Sequence, residues 1–233
     1  MRERLETLAK ARERVCSLRT LACAFSLATI LAMPAGAVDG TYTIPTGGGV
    51  VAVTNADEVT WVGDDLLIKF TTNSTSALAP GSFTLPGVSK VRILAIGGGG
   101  GGGGAYLKGT AGYSGNYGGG GGGGAGGFVD TNGFYSAATY SIVVGKGGVG
   151  GKIDASHGTQ YNYNGENGDD TTITTNGSPM ITAYGGGGGG GESVGLDGGS
   201  GGGGSMYRGA FSGTVKAGGT PKDESQEIGR AHV

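Results

Sequence analysis

The chain has 233 residues, 57 of them glycine and only six proline, with 16 Lys+Arg against 18 Asp+Glu and a formal net charge of −2. That much glycine without the strict every-third spacing of collagen excludes a collagen-like triple helix. The residues between the glycine runs are rich in Val, Ile, Thr, Tyr and Phe, which are strand formers, so the chain is expected to fold rather than behave as a low-complexity tail.

The N-terminus reads as a targeting segment: a charged stretch to Arg19, an apolar "LACAFSLATILA", then "MPAGAVDG" with small residues at Ala35 and Ala37. Cleavage is expected after Ala37, and the apolar stretch is shorter than the roughly 18 residues a membrane span needs. Both cysteines, Cys16 and Cys23, lie in the segment to be removed, so the exported chain would have no disulfide and no cysteine-ligated metal. From residue 38 onward ten basic residues face fifteen acidic ones. An acidic chain without a basic stripe is a poor nucleic-acid binder. At the other end, "IGRAHV" (228–233) reads as the translation of a common short-read sequencing adapter, so the natural chain is expected to continue and His232 carries no argument.

Between 38 and 96 six short alternating segments, "TYTI", "VVAVT", "EVTWV", "LLIKFTT", "SFTL" and "KVRILAI", are separated by Pro45, "TGGG", "GDD", "NSTS" and "LPG". This spacing predicts an antiparallel sandwich or jelly roll. In "KVRILAI", Val91, Ile93 and Ala95 fall on one face and Arg92, Leu94 and Ile96 on the other. From 97 to 219 glycine runs at 97–104, 118–124, 185–191 and 201–204 alternate with strand-like "GGFVDT", "ATYSIVVG", "DTTITTN" and "MITAYG". Residues 220–233 read as a polar tail.

A linker would mix glycine with serine and vary in length. These runs are nearly pure, similar in length and tied to strands. Ordering a glycine costs roughly 0.5–1 kcal/mol more than ordering an alanine, so the runs either hydrogen-bond to one another or stay disordered. The expectation is a bundle of polyglycine II helices, extended and left-handed with three residues per turn, whose bare backbones exchange N–H to C=O bonds. The expected fold is therefore all-β, with a small N-terminal β-sandwich followed by a glycine-rich domain of strands and packed polyglycine II helices.

The segments "GSFTLPGVSKVRILAIGGGGGGGG", "GGGGGGGAGGFV", "ATYSIVVGKGGVGG" and "GENGDDTTITTNGSPMITAYGGGGGGG" resemble the glycine-rich domain of bacterial secreted and surface proteins, and more distantly the tail-fibre adhesins of phages. The phage resemblance implies a layered polyglycine sandwich whose loops at one end touch a receptor. The export signal departs from phage fibres, which assemble in the cytoplasm, and fits a cell-encoded protein better.

The candidate chemical motifs are weak. "VVGKGGVGGK" (143–152) imitates a phosphate-binding loop, but Ile153 replaces the hydroxyl residue and no helix follows, so it reads as a glycine-rich hairpin loop without nucleotide. "GENGDDTTI" (165–173) partly matches a calcium-binding nonapeptide, with Gly165, Gly168 and Asp170 in place. Such sites form between stacked copies and this one occurs once, so it reads as a turn entering a strand. The pairs Asp64/Asp65 and Asp169/Asp170 are likewise read as turns, and "DASH" (154–157), with His157, as a polar loop. No catalytic residue, metal site or cofactor is expected, and the protein is read as non-enzymatic.

The best functional signal is tyrosine in polar loops: Tyr106, Tyr113, Tyr117, Tyr161, Tyr163 and Tyr207, set among Ser, Gly and Asn. This is the vocabulary of binding surfaces, a rigid amphipathic ring amid adaptable hydrogen-bonding groups. Tyrosine faces also suit sugar rings. The bland alternative is that the rings cover the ends of the glycine bundle. The functional expectation is an exported adhesive or binding module at the cell surface, presenting these tyrosines to a glycan or matrix ligand. The alternatives are a structural spacer of a larger surface protein and a tail-fibre-like receptor-binding adhesin.

Overall fold

The computed structural model describes residues 37–45, 49–71, 80–104, 106–108, 116–152, 164–191, 193–208 and 213–222. The expected signal segment, the polar tail beyond 222 and the 228–233 segment lie outside them. The structure is all-β, with every strand pair antiparallel and no helix among the described residues.

All six strands expected before residue 97 are present: β1 (Val38–Thr43), β2 (Val50–Ala56), β3 (Glu58–Val62), β4 (Asp65–Lys69), β5 (Gly81–Leu85) and β6 (Ser89–Ile96). β7 (Tyr106–Lys108) and β8 (Asn116–Gly119) follow, then β9 (Phe128–Tyr135), β10 (Ala138–Val143), β11 (Thr171–Thr175) and β12 (Ser178–Ala183), and last β13 (Met206–Arg208) and β14 (Gly213–Val215). The main sheet has six strands in the order β1-β2-β5-β10-β11-β12, so strands from both sides of the first glycine run share one sheet. β6 and β9 pair with each other and pack across β11 and β12.

Alternation decides which residues fill the space between these layers. Phe83 and Leu85 of β5, Tyr140 and Ile142 of β10, Ile173 of β11 and Ile181 of β12 are buried together with Ile93 and Ala95 of β6. Leu94 and Ile96 stay exposed on the other face of β6, beside Arg92, as the alternation predicts. The Tyr140 ring stacks on Phe83 at 5.0 Å and meets Tyr135 edge-on, and its hydroxyl donates to the Ser136 carbonyl at 2.9 Å. The β11–β12 hairpin closes through Asn176 and Gly177, both with positive φ, the conformation a two-residue turn between right-twisted strands requires. Of the pair Asp64/Asp65 expected in a turn, Asp64 lies in the β3–β4 turn, while Asp65 already belongs to β4 and pairs with Val62.

Beyond the sheets the described residues run back and forth in eight glycine-rich runs: 97–104, 120–127, 145–152, 164–170, 184–191, 193–199, 200–205 and 216–222. Polyglycine II helices are not resolved as elements of secondary structure. In their place is a network of backbone hydrogen bonds that repeats every three residues. The N–H groups of Gly97, Gly100 and Gly103 donate to the carbonyls of Gly127, Gly124 and Gly121, while those of Gly98 and Gly101 donate to Asp169 and Glu166. The carbonyls of Gly99 and Gly102 accept from Gly148 and Gly151.

The fifth run, 184–191, is enclosed by five others, and all its glycines are buried. Its N–H groups at Gly186 and Gly189 donate to the first run, and those at Gly187 and Gly190 to the seventh. The remaining three, at Gly185, Gly188 and Gly191, donate to the side-chain oxygens of Asp170, Asn167 and Asn164 at 2.7, 2.8 and 2.7 Å. Every N–H of 185–191 is thereby satisfied, which buried backbone requires.

This network corrects two readings of the sequence. "VVGKGGVGGK" is not a hairpin loop, since its 145–152 portion is the third run, lying parallel to the first. "GENGDD" is not a turn: 164–170 is the fourth run, whose Asn164, Asn167 and Asp170 recur every third residue because that is the step at which side chains face the fifth run. Sheet and bundle are joined at Thr171, buried, whose hydroxyl donates to the Ile96 carbonyl at 2.7 Å and accepts from the Gly145 N–H at 2.9 Å.

Candidate functional site: the loop-bearing end of the bundle

Because successive runs alternate in direction, the bundle has two distinct ends. At one, runs begin or finish at β6, β9, β10, β11 and β12. At the other, the first run ends at 104, the third at 152, the fifth at 191 and the seventh at 205, while the second starts at 120, the fourth at 164 and the eighth at 216. Four connections therefore leave and return at that end: 105–119, 153–163, residue 192 and 206–215.

Two of these connections supply a small sheet in the order β14-β13-β8-β7. Its register places Tyr106 and Tyr207 on either side of Gly118, and Leu107 and Arg208 on either side of Tyr117. The backbones of three of the six candidate tyrosines, Tyr106, Tyr117 and Tyr207, thus occupy adjacent register rows of one sheet. Their side chains lie outside the described residues, as do Tyr113, Tyr161 and Tyr163 entirely. The 153–163 segment that carries the last two leaves from Lys152 and returns at Asn164, at this same end.

Of the other candidates, Asp169 and Asp170 have structural partners, and Asp154 and His157 lie outside the described residues. Asp169 lies 3.7 Å from Lys146, and Asp170 caps Gly185. Among the described residues, no three His, Cys, Asp or Glu side chains come together to hold a metal ion. Asp197 binds the eighth run: its carboxylate accepts the Thr220 N–H at 2.6 Å, and this bond, with the Thr220 side chain and the Lys222 charge, holds its pKa below the ordinary carboxylate value. On the sheet side, Arg92 and Asp130 form a two-point ion pair, with hydrogen bonds of 3.0 and 2.7 Å, that lowers the Asp130 pKa. A shallow groove of ≈ 360 Å³ between β9 and β12, lined by Val129, Met180 and Ile181 with Thr131, Thr182 and Tyr135, offers no charged group. No helix among the described residues is long and apolar enough to cross a membrane.

Sequence reasoning missed the Asn164, Asn167 and Asp170 ladder, although its signal, three amide or carboxylate side chains at a step of three beside glycine, is plainly written. It also missed β7, β8, β13 and β14, whose three or four residues are too few to show alternation.

A model of the glycine-rich domain family matches residues 74–231, more than half of the chain. The chain belongs to this family. The match takes in β5 and β6, all eight runs and the small sheet, so the glycine-rich domain comprises the bundle together with strands that pair ahead of it. The match does not show the likeness to phage tail-fibre adhesins. No curated protein and no solved structure matches the chain significantly.

Proposed function

We propose that this glycine-rich domain is an exported, non-enzymatic adhesive module at the cell surface, presenting its tyrosine-bearing connections to a glycan or matrix ligand from one end of a rigid bundle. What supports the reading is convergence. The segments holding Tyr106, Tyr113, Tyr117, Tyr161, Tyr163 and Tyr207 leave and re-enter the bundle at a single end, although they are far apart in sequence. Tyrosine rings carried by segments anchored on a rigid support bind with little loss of conformational entropy.

The support is a set of polyglycine II helices in this reading, since a hydrogen-bond period of three is the turn of that helix. Slow amide hydrogen exchange of the glycines at 97–104 and 185–191 is the expected result, and exchange at random-coil rates would remove the scaffold. Replacing Tyr113, Tyr117, Tyr161 and Tyr163 together by alanine is expected to abolish binding to glycan arrays and to cells while leaving that protection in place. Unchanged binding would favour the other reading, a structural spacer in a larger surface protein, which the hydrogen-bonded rigidity of 184–191 also suits.

A further inference from the structure

Resting on that adhesive reading, we infer that the loop-bearing end takes an anionic polysaccharide, one whose sugars carry carboxylate or sulfate groups. The observation is an uneven distribution of charge along a chain that is acidic as a whole. The elements at this end hold Lys108 in β7, Lys152 at the end of the third run, Arg208 in β13 and Lys216 directly after β14. The connecting sequence there adds only Asp154 and Glu192, and Glu166 stands one turn into the bundle. The sheet side is reversed: Asp39, Asp57, Glu58, Asp64, Asp65, Asp130, Asp169 and Asp170 outnumber Lys69, Lys90, Arg92 and Lys146.

Pairing sharpens the contrast. Lys69, Arg92 and Lys146 each lie within 4 Å of an acid, at 3.7, 2.7 and 3.7 Å, and Lys222 lies over the Tyr184 ring. Lys152 and Lys216 are exposed and have no ion-pair partner among the described residues, a condition that Lys90 shares on the sheet side. They flank the ends of the first and seventh runs: the Lys216 N–H donates to the Ser205 carbonyl at 2.8 Å, and the Lys152 carbonyl lies against Gly104.

A polyanion approaching this molecule is repelled by its acidic body and drawn to one end, which orients the encounter before any contact forms. Single exposed charge contacts are weak, so the fit is to a repeating polymer that engages several cations at once. Ammonium groups such as those of Lys152 and Lys216 take carboxylate or sulfate oxygens, and tyrosine rings suit the carbon faces of sugars. Neutral glycans would use the tyrosines alone.

The test is binding of the full chain to immobilised hyaluronan, dextran sulfate and neutral dextran, and to vesicles with and without anionic lipid, at low and high salt. Expected is binding to the two polyanions, with affinity falling at least tenfold as salt rises to the point where the screening length approaches ~3 Å. The double variant K152E/K216E is expected to bind them at least tenfold more weakly, and K90E, at the other end, to change affinity less than twofold. Salt-independent binding to neutral dextran equal to that of the polyanions overturns this inference and leaves the adhesive reading standing. Equal weakening by K90E overturns it as well, since net charge rather than the end would be acting. Capture by anionic vesicles alone overturns it in favour of a membrane surface. Absence of binding to any of these probes and to cells overturns both readings.

Discussion

The sheets and the bundle solve the same problem by opposite means. Between β5, β6, β10, β11 and β12, Phe83, Ile93, Tyr140, Ile142 and Ile173 exclude water by volume, and the backbone ladder follows from strand pairing. In the bundle there is almost no side-chain volume to bury, and stability lies in backbone bonds packed at a spacing only glycine permits. The difference shows in what each region tolerates. A side-chain core relaxes around a lost methylene, whereas a backbone lattice has nothing to move aside.

The severest test of the comparison is Gly188→Ala in the enclosed fifth run, where a Cβ would run into the Gly165 carbonyl oxygen. Because the obstacle is backbone, the cost is expected to be about 4 kcal/mol or more, in the exceptional tail of single substitutions. Ile142→Ala in the sheet core is expected to cost about 2–5 kcal/mol through lost burial and a partly collapsed cavity. Denaturant titration measures both, and an equal or milder effect at Gly188 would break the comparison.

Next in size is Asn167→Ala. It strands the buried Gly188 N–H without its 2.8 Å acceptor, an expected loss of about 1–3 kcal/mol, with faster amide exchange at Gly188 than at Gly187, whose partner is the Ser200 carbonyl. Uniform exchange along the run would show that the side-chain ladder is dispensable. The smallest effect belongs to Gly122→Ala. Its Cβ would meet nothing within 4 Å, and its φ is not in the left-handed region, so the change is expected to be neutral or to stabilise by about 0.4–1 kcal/mol. A thermal midpoint that falls with this substitution would mean that the outer side of the second run is covered.

Much of the fold was legible in the sequence, for reasons that differ by region. Strands β1–β6 and β9–β12 announced themselves because each has residues buried or partly buried on one face, and alternation records that. The pure runs at 97–104, 120–124 and 185–191 were legible as framework because nothing but packed backbone explains so much glycine beside strands, whereas Gly118 and Gly119, read as part of the second run, belong to β8. The third and fourth runs were not. Lys146, Val149 and Lys152, or Asn164, Glu166 and Asn167, hide a run whose obligatory glycines are Gly145 and Gly148, or Gly165 and Gly168. Glycine is required only on the sides of a run that touch another run, so an outer run reads as a mixed loop. At the candidate site, the tyrosines were visible as a composition. That the segments carrying them leave the bundle at one end was not, because it depends on the alternating direction of runs that sequence does not encode locally.

The hydrogen-bond period has a consequence for how such a chain can change length. Each run advances about 9 Å for every three residues if its rise is that of the extended threefold helix. Adding three residues to neighbouring runs would lengthen the body by one turn and return every later residue to the neighbour it had before. Adding one would rotate the rest of the run by a third of a turn, carrying Val149 or Lys152 inward and a glycine outward. Lineages of this bundle should therefore differ in run length by threes, growing or shortening the distance between the sheets and the loop-bearing end while leaving both ends unchanged.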